Sequence, residues 1–392
     1  MTHDELIRAI HGSGYQLVLA TTGGGASAIG DLLRVPGGSA SVLEAVVPYS
    51  WNALIDWLGG QPDSACSSRT ARAMAMAAFE RARALAEPNA PIGKLLGIGC
   101  TASLASDRPK RGAHRFYIAF QGHNFTSCFG WELAKGERTR AEEERVVCDL
   151  LLHFTGFFSR VWSAIQQETP VHLQLIASEA ADARPAIREL LVGTAEKCAV
   201  QFDDITAAAP RVLFPGAFNP LHAGHRHMVQ IAQARLQEKV AFEISVTNVD
   251  KPPLDYYEIE HRLQGFERGD QVWLTRAPTF VEKAALFPGV TFLVGADTIR
   301  RIAEEKYYGG SASARDQALA ALAAQQVRFL VFGRLAGQHF ETLESLPLPD
   351  MLQQLCEEVS EADFREDLSS TALRSGSLPA NQTDEGFETN PH

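Results

Sequence analysis

Apolar positions along the chain recur with two periods, the short unbroken or alternating runs of strands and the 3.6-residue stripes of helices. In the first 168 residues, Glu5 to His11 reads as a helix and Gln16 to Thr22 as a strand. Gly23-Gly24-Gly25 then makes a turn into a helix of small residues. Val42 to Tyr49, Leu95 to Thr101 and Arg115 to Phe120 read as further strands, and Ser67 to Leu85 as a long helix. Thr139 to about Gln167 reads as a closing helix, with Glu142, Glu143 and Glu144 near its start, where the helix dipole favours acids.

A bridge over residues 169–210 carries strand-like Val171 to Ile176 and Val200 to Ile205 around a helical Arg184 to Val192. Its pattern assigns it to neither neighbour. A second block spans residues 211–374. Arg211 to Phe214 opens it as a strand, and Arg226 to Leu236 follows as a helix. Phe242 to Val246, Phe292 to Val294 and Val327 to Val331 are its further strands. Residues 375–392 turn to Ser, Gly, Pro, Asn and acid, the composition of a disordered tail. The pattern predicts two α/β domains.

Composition narrows the partners. With 45% hydrophobic and 21% charged residues, the 392-residue chain is that of a globular protein with more than one core. No window approaches the roughly 18 uninterrupted apolar residues of a membrane span. The N-terminus lacks the pattern of a secretory signal. The six cysteines are scattered without CxxC pairs, so we expect reduced thiols in the cytoplasm and no fixed metal site. A net charge of −11 argues against a broad nucleic-acid footprint but not against a nucleotide, which needs only a local cluster of donors. A homo-oligomer stays open.

The chemistry gathers in the second block. Phe214-Pro215-Gly216-Ala217-Phe218-Asn219-Pro220-Leu221-His222-Ala223-Gly224-His225 joins a strand to a helix, the context in which helix N-terminal amides receive a phosphate. Gly216 lets the backbone approach a phosphate. His222 and His225, three residues apart, project toward one volume and are able to donate hydrogen bonds to phosphate oxygens. Far downstream, Ser369-Ser370-Thr371-Ala372-Leu373-Arg374 places hydroxyls at a helix start and an arginine fork one turn on.

The first stretch resembles the GxFxPxHxGH motif of the HxGH nucleotidyltransferases. The second resembles the SSTxxR motif of nicotinamide and nicotinate mononucleotide adenylyltransferases. The resemblance extends to Asn248 and Lys251 in Thr247 to Leu254, to Gly295 and Asp297 in Phe292 to Thr298, and to Phe332-Gly333-Arg334. It implies a Rossmann-like sheet that binds ATP and a pyridine mononucleotide. Within it, His222, His225 and Arg374 would be catalytic. Gly216, Ala217, Phe218, Ser369, Ser370 and Thr371 would hold phosphate, and Asn248, Lys251, Gly295 and Asp297 would hold substrate. Mg²⁺ would arrive on ATP, without a fixed protein ligand. The implied reaction is adenylyl transfer with release of pyrophosphate.

Residues 5–165 resemble the C-terminal domain of CinA-type proteins, the nicotinamide-nucleotide deamidases, through Leu19 to Gly25, Val35 to Ser39 and Val46 to Ser50. That resemblance places Thr21 where the family has a nucleophilic serine, Ala20 where it has an acid and Leu54 where it has a lysine base. Gly99-Cys100-Thr101-Ala102-Ser103 stands in for a Gly-Pro loop. Leucine accepts no proton, so deamidase activity is expected to be lost. Two rival readings are a bifunctional deamidase and adenylyltransferase, and a non-catalytic nucleotide sensor or assembly module.

Overall fold

The computed structural model describes residues 1–107, 111–161, 173–200, 209–247, 254–336 and 339–364. They fall into two compact units. The first is Met1–Cys198 with Ser245–Leu263 and Leu274–Glu282, and the second is the remainder.

The first unit begins α1 (His3–Gly12), β1 (Gln16–Thr21), α2 (Ser27–Arg34), β2 (Val42–Val46), α3 (Trp51–Leu58) and α4 (Ser68–Leu85). It continues β3 (Leu95–Ser103), β4 (His114–Gln121), β5 (Phe125–Leu133), α5 (Arg140–Phe158), β6 (Leu173–Asp182) and α6 (Pro185–Val192). Its six strands lie in the order β2-β1-β3-β4-β5-β6. β1 is parallel to β2 and β3, whereas β3 to β6 pair antiparallel. On one face, Ile7, Ile10, Leu32, Val147 and Leu151 of α1, α2 and α5 build the main core against Leu17, Ile98, Phe116 and Phe120. On the other face α4 lies directly on β3. A Cβ at Gly97 or Gly99 would strike the Ala75 or Ala71 carbonyl, so only glycine admits the helix this closely.

Two expected boundaries shift for local reasons. β2 stops at Val46 rather than Tyr49, short of Pro48, which has no N–H to give a ladder. α5 stops at Phe158 rather than near Gln167. There the Ser159 hydroxyl donates to the Thr155 carbonyl at 2.5 Å, and Arg160 takes a left-handed φ of 58°. α3 and β5 are elements that the patterning did not single out. The three acids at the start of α5 take three separate roles. Glu142 closes a capping box with Thr139. Glu143, fully buried, accepts from the Ala105 amide at 2.6 Å and lies 2.7 Å from His114 Nδ1. Glu144 reaches the glycine turn described below.

The chain continues with β7 (Lys197–Val200), β8 (Val212–Pro215), α7 (Ala223–Leu236), β9 (Val240–Ser245), α8 (Tyr256–Leu263), β10 (Gln271–Thr275) and α9 (Phe280–Leu286). Then come β11 (Thr291–Gly295), α10 (Ala296–Ala303), α11 (Ala312–Ala324), β12 (Arg328–Phe332), β13 (Arg334–Ala336), β14 (His339–Glu341), α12 (Asp350–Gln353) and β15 (Cys356–Val359). α7 starts three residues earlier than its apolar stripe suggested, which puts His225 inside its first turn.

Among these, α8 clusters with the first unit. Tyr256 at its start donates its amide to Thr126 Oγ1 at 3.1 Å and its hydroxyl to the His123 carbonyl at 2.6 Å. Beside it the buried Arg72 pairs with Glu179, with Asp255 at 3.1 Å and with Glu258 at 3.5 Å. Arg262 meets the same Glu258 at 2.7 Å. Removing one partner from such a buried cluster leaves an uncompensated charge and typically costs about 3–5 kcal/mol.

The large sheet has the order β15-β12-β11-β8-β9-β10-β7. β8–β9, β8–β11, β11–β12 and β12–β15 are parallel. The chain leaves β8 in one direction through β9 and β10, then crosses back to continue through β11, β12 and β15. That reversal between β8 and β11 is the switch point of a doubly wound Rossmann-like sheet, beside which ligands bind at the strand C-termini. The expected α/β class holds for both units.

Candidate active site

β8 delivers its chain to the switch point. Leu213 and Phe214 are buried in the sheet, and the Gly216 amide donates to the Glu243 carbonyl of neighbouring β9 at 2.9 Å. A Cβ at Gly216 would lie 2.6 Å from the Phe218 ring. The glycine is therefore required first by its own loop, which folds Phe218 back under it. Phe218, only 2% exposed and at φ 44°, packs edge-on against Phe214, Phe242 and Phe266 at 5.2 to 5.7 Å. Its side chain belongs to this aromatic floor, so any contact it makes with phosphate is through its backbone.

The floor carries the two histidines. His222 caps α7 and His225 sits in its first turn, their rings stacked with centroids 3.6 Å apart. The His222 amide donates to His225 Nδ1 at 3.3 Å. With Nδ1 accepting, the neutral His225 ring carries its proton on Nε2. Phe214 and Phe218 flank that ring at 5.7 and 5.2 Å. Burial, then the neighbouring His222, pushes its pKa from 6.5 down to about 3. At neutral pH His225 is thus an uncharged donor. Arg226 anchors the same turn to Asp270 with two contacts of 2.6 and 2.8 Å. Beneath the loop, Lys283 of α9 donates to both carboxylate oxygens of the buried Glu243 at 2.7 and 2.9 Å.

The other expected residues gather at the same edge in part. Val212 is level with Thr291 and Gly295 with Phe332. The chain therefore leaves β8, β11 and β12 side by side at Gly216, Gly295 and Gly333. Gly295 caps α10, and Asp297 lies in that helix's first turn. Asp297 is half-exposed and already engaged: Arg334 donates to one oxygen, and Arg300 to the other at 3.3 Å. Arg300 also reaches Glu341. Arg334 belongs to the Phe332-Gly333-Arg334 stretch noted in the sequence, whereas nothing in the spacing marked Arg300. Ala217 lies in the loop between Gly216 and Phe218. Asn248, Lys251, Ser369, Ser370, Thr371 and Arg374 lie outside the described residues.

Residues 213–376 match the family model described as cytidylyltransferase-like. This cytidylyltransferase-like region contains the β8–α7 loop, the β11 and β12 ends and the Ser369 to Arg374 stretch, and it is a nucleotidyltransferase-like domain. No curated protein matches the chain. Solved structures similar to it include a competence/damage-inducible protein from Agrobacterium tumefaciens, 21% identical over 40% of this chain and 96% of that one, with TM-score 0.34. A CinA-superfamily protein from Klebsiella pneumoniae is 15% identical over 41% of this chain and 100% of that one, with TM-score 0.33. A competence or damage-inducible protein from Enterobacter asburiae is 16% identical over 40% and 99%, with TM-score 0.33.

Outside the cytidylyltransferase-like region, the first unit has its own strand–turn–helix at Thr21 to Ser27, and it is filled from within. The Glu144 carboxylate accepts from the Gly25 amide at 2.9 Å, the Ser27 amide at 3.0 Å and the Ser27 hydroxyl at 3.1 Å. The Thr21 hydroxyl, fully buried, donates to the Gly24 carbonyl at 2.5 Å. Leu54 is buried among Ala20, Leu58, Ala73 and Met74. None of the six cysteines forms a disulfide. Among the described residues, no group of three or more His, Cys, Asp or Glu is placed to hold a metal, and no helix is long and apolar enough to cross a membrane.

Proposed function

We propose that the second unit adenylylates a nicotinamide-type mononucleotide with ATP and releases pyrophosphate. The observation that carries this reading is the β8–α7 loop. Its sequence Gly216 to His225 sets two stacked imidazoles at the start of a helix beside the switch point. The downstream Ser369 to Arg374 sequence selects the mononucleotide adenylyltransferases among the chemistries of this superfamily.

The acceptor's phosphate monoester is already ionised at neutral pH and needs no general base. One of its oxygens attacks the α-phosphorus of ATP in line as the bond to the β-phosphate oxygen breaks, and pyrophosphate leaves with that electron pair. Negative charge grows on the α-phosphoryl oxygens and the leaving group. His225 meets it with a neutral Nε2–H donor, whose orientation is held by the His222 amide and the aromatic floor. His222 and Arg374 would add further donors to the triphosphate. Mg²⁺ enters as the counter-ion of the nucleotide substrate.

For the first unit we infer that deamidation of a nicotinamide nucleotide does not occur. The Thr21 hydroxyl is committed to Gly24, and no base stands at Leu54.

The test is pyrophosphate release with ATP or CTP as donor and a panel of acceptors: nicotinamide mononucleotide, nicotinate mononucleotide, phosphopantetheine and glycerol 3-phosphate. Turnover with ATP and a pyridine mononucleotide, yielding a dinucleotide, is expected. Turnover confined to CTP or to a non-nucleotide acceptor would replace this reading with another branch of the same superfamily.

A further inference from the structure

The first unit also contains a cavity of about 770 Å³ whose walls include Tyr15, His123, Phe125, Phe157, Phe158 and Arg160. It lies at the opposite end of the sheet from the glycine turn. Tyr15 immediately precedes β1, and His123 sits in the turn between β4 and β5. The register pairs Gln16 with Leu95 and Gly97 with Gln121 at this end, whereas Thr21 pairs with Cys100 at the other. The glycine turn therefore does not account for the cavity, and none of its lining residues comes from the β8–α7 loop.

Its walls combine two chemistries. The aromatic side is fixed in place: Phe158 stacks on Phe125 at 5.2 Å and 15°, and on Phe120 at 4.4 Å and 24°. A planar ring entering here meets rigid ring faces. The polar side is cationic. Arg160, turned by its left-handed backbone at the end of α5, lines it, and the charge of Arg188 of α6, outside the lining, joins that of Arg160 in lowering the pKa of His123. Among the described residues neither guanidinium has a carboxylate within ion-pair distance. Lys94, between two residues that line the cavity, holds its ammonium 4.2 Å over the Tyr15 ring and donates to the Ser13 carbonyl at 3.3 Å. In a chain of net charge −11, where most described arginines carry an acid partner, this concentration of cations runs against the composition.

His123 reports the local potential. Burial is the largest influence lowering its pKa, Arg188 and Arg160 follow, and no anion opposes them. The site is electropositive and its counter-charge is not supplied by the described chain. The volume falls in the range of small-molecule pockets, about 300–1,000 Å³.

We propose that this cavity is a second ligand site, which takes a planar aromatic compound carrying a carboxylate or phosphate group. The ring lies among Tyr15, Phe125 and Phe158, and the anion lies toward Arg160 and His123. The site is independent of the nucleotidyl-transfer reading.

Calorimetric titration of the full chain tests it, with phenyl phosphate and benzoate as anionic probes and benzyl alcohol as the neutral one. At least one anion should bind with one molecule per chain and a Kd of about 1 mM or tighter, as expected for so small a ligand. Benzyl alcohol should bind at least about tenfold more weakly. Arg160→Glu, at an exposed position where folding is readily checked by circular dichroism, should weaken the anion at least about tenfold. His225→Ala should leave that affinity unchanged. The better of the two anions identifies the group. Absence of binding by both anions up to 10 mM-scale concentrations, about the weakest affinity worth a site, overturns the proposal. So does equal affinity for benzyl alcohol, or anion binding that survives Arg160→Glu.

Discussion

The chain contains two strand–turn–helix loops that begin from the same plan and end in opposite states. After β8, the turn packs a phenylalanine beneath itself and presents two stacked imidazoles at the start of α7. After β1, a glycine-rich turn leads into α2, but its amides are taken by Glu144 of α5 and its hydroxyl by Gly24. A helix start attracts an anion wherever it is left open. In the first unit the protein supplies that anion from its own sequence, so the turn is a structural joint between α5 and α2. In the second the Gly216 and His222 amides are likewise satisfied within the chain, and the donor offered to a ligand is the Nε2–H of His225. Fold context alone therefore does not mark a site. What marks it is whether the chain has already satisfied its own donors.

The largest effect that would sharpen this contrast is removal of the distal element. Truncation before Ser369 should abolish pyrophosphate release, whereas truncation after Pro379 should leave it intact. A shorter chain that still turns over would reduce Ser369 to Arg374 to a helix cap. Next, His225→Ala should lower kcat/KM by about 10²–10³-fold, the loss expected for one transition-state donor, with the fold retained by circular dichroism. Arg374→Lys keeps the charge but loses the planar fork, and should lower the rate and weaken ATP binding.

Glu144→Gln addresses the other loop. It replaces a charged acceptor of three donors with a neutral one and should cost about 1–3 kcal/mol in denaturant unfolding, while adenylyl transfer is unchanged. No loss of stability would mean that the carboxylate is not what closes the turn.

The remaining effect is in pH. The folded-state pKa of His225 lies near 3, below the 6.5 of the exposed ring. The unfolded chain therefore binds the extra proton first, and this residue's contribution is complete above pH 6.5 and falls as pH drops toward 3. The loss is at most about 1.4 kcal/mol per pH unit. His225→Gln should flatten that part of the acid limb. An unchanged slope would place the ring in solvent.

Much of this was legible in residues. The β8 strand, its loop and the strand that ends in Gly295 were readable because apolar runs and glycines report backbone needs directly. The histidine pair was readable by spacing, although the helix that carries it begins at Ala223, before any apolar stripe is visible. Glu142, Glu143 and Glu144 looked like one acidic helix start. Their separate roles depend on which partners at Thr139, His114 and Gly25 the fold brings alongside, and no local pattern encodes that. For the same reason the pairing of Arg334 with Asp297, and the Arg72 cluster with α8, left no trace in the sequence, although the Gly333-Arg334 step itself was visible. The contact of Thr139 with Glu142, 3 residues apart, is written in the chain; those of Glu143 with His114, 29 apart, and of Arg72 with Asp255, 183 apart, belong to the fold.

The most direct measurement follows pyrophosphate and ammonia together in one reaction of the full chain with ATP and nicotinamide mononucleotide, repeated with nicotinate mononucleotide. The account predicts pyrophosphate release at or above about 1 s⁻¹ with at least one acceptor, and ammonia at the background of the enzyme-free control. Ammonia release above about 1 s⁻¹, or no pyrophosphate with either acceptor, would contradict it.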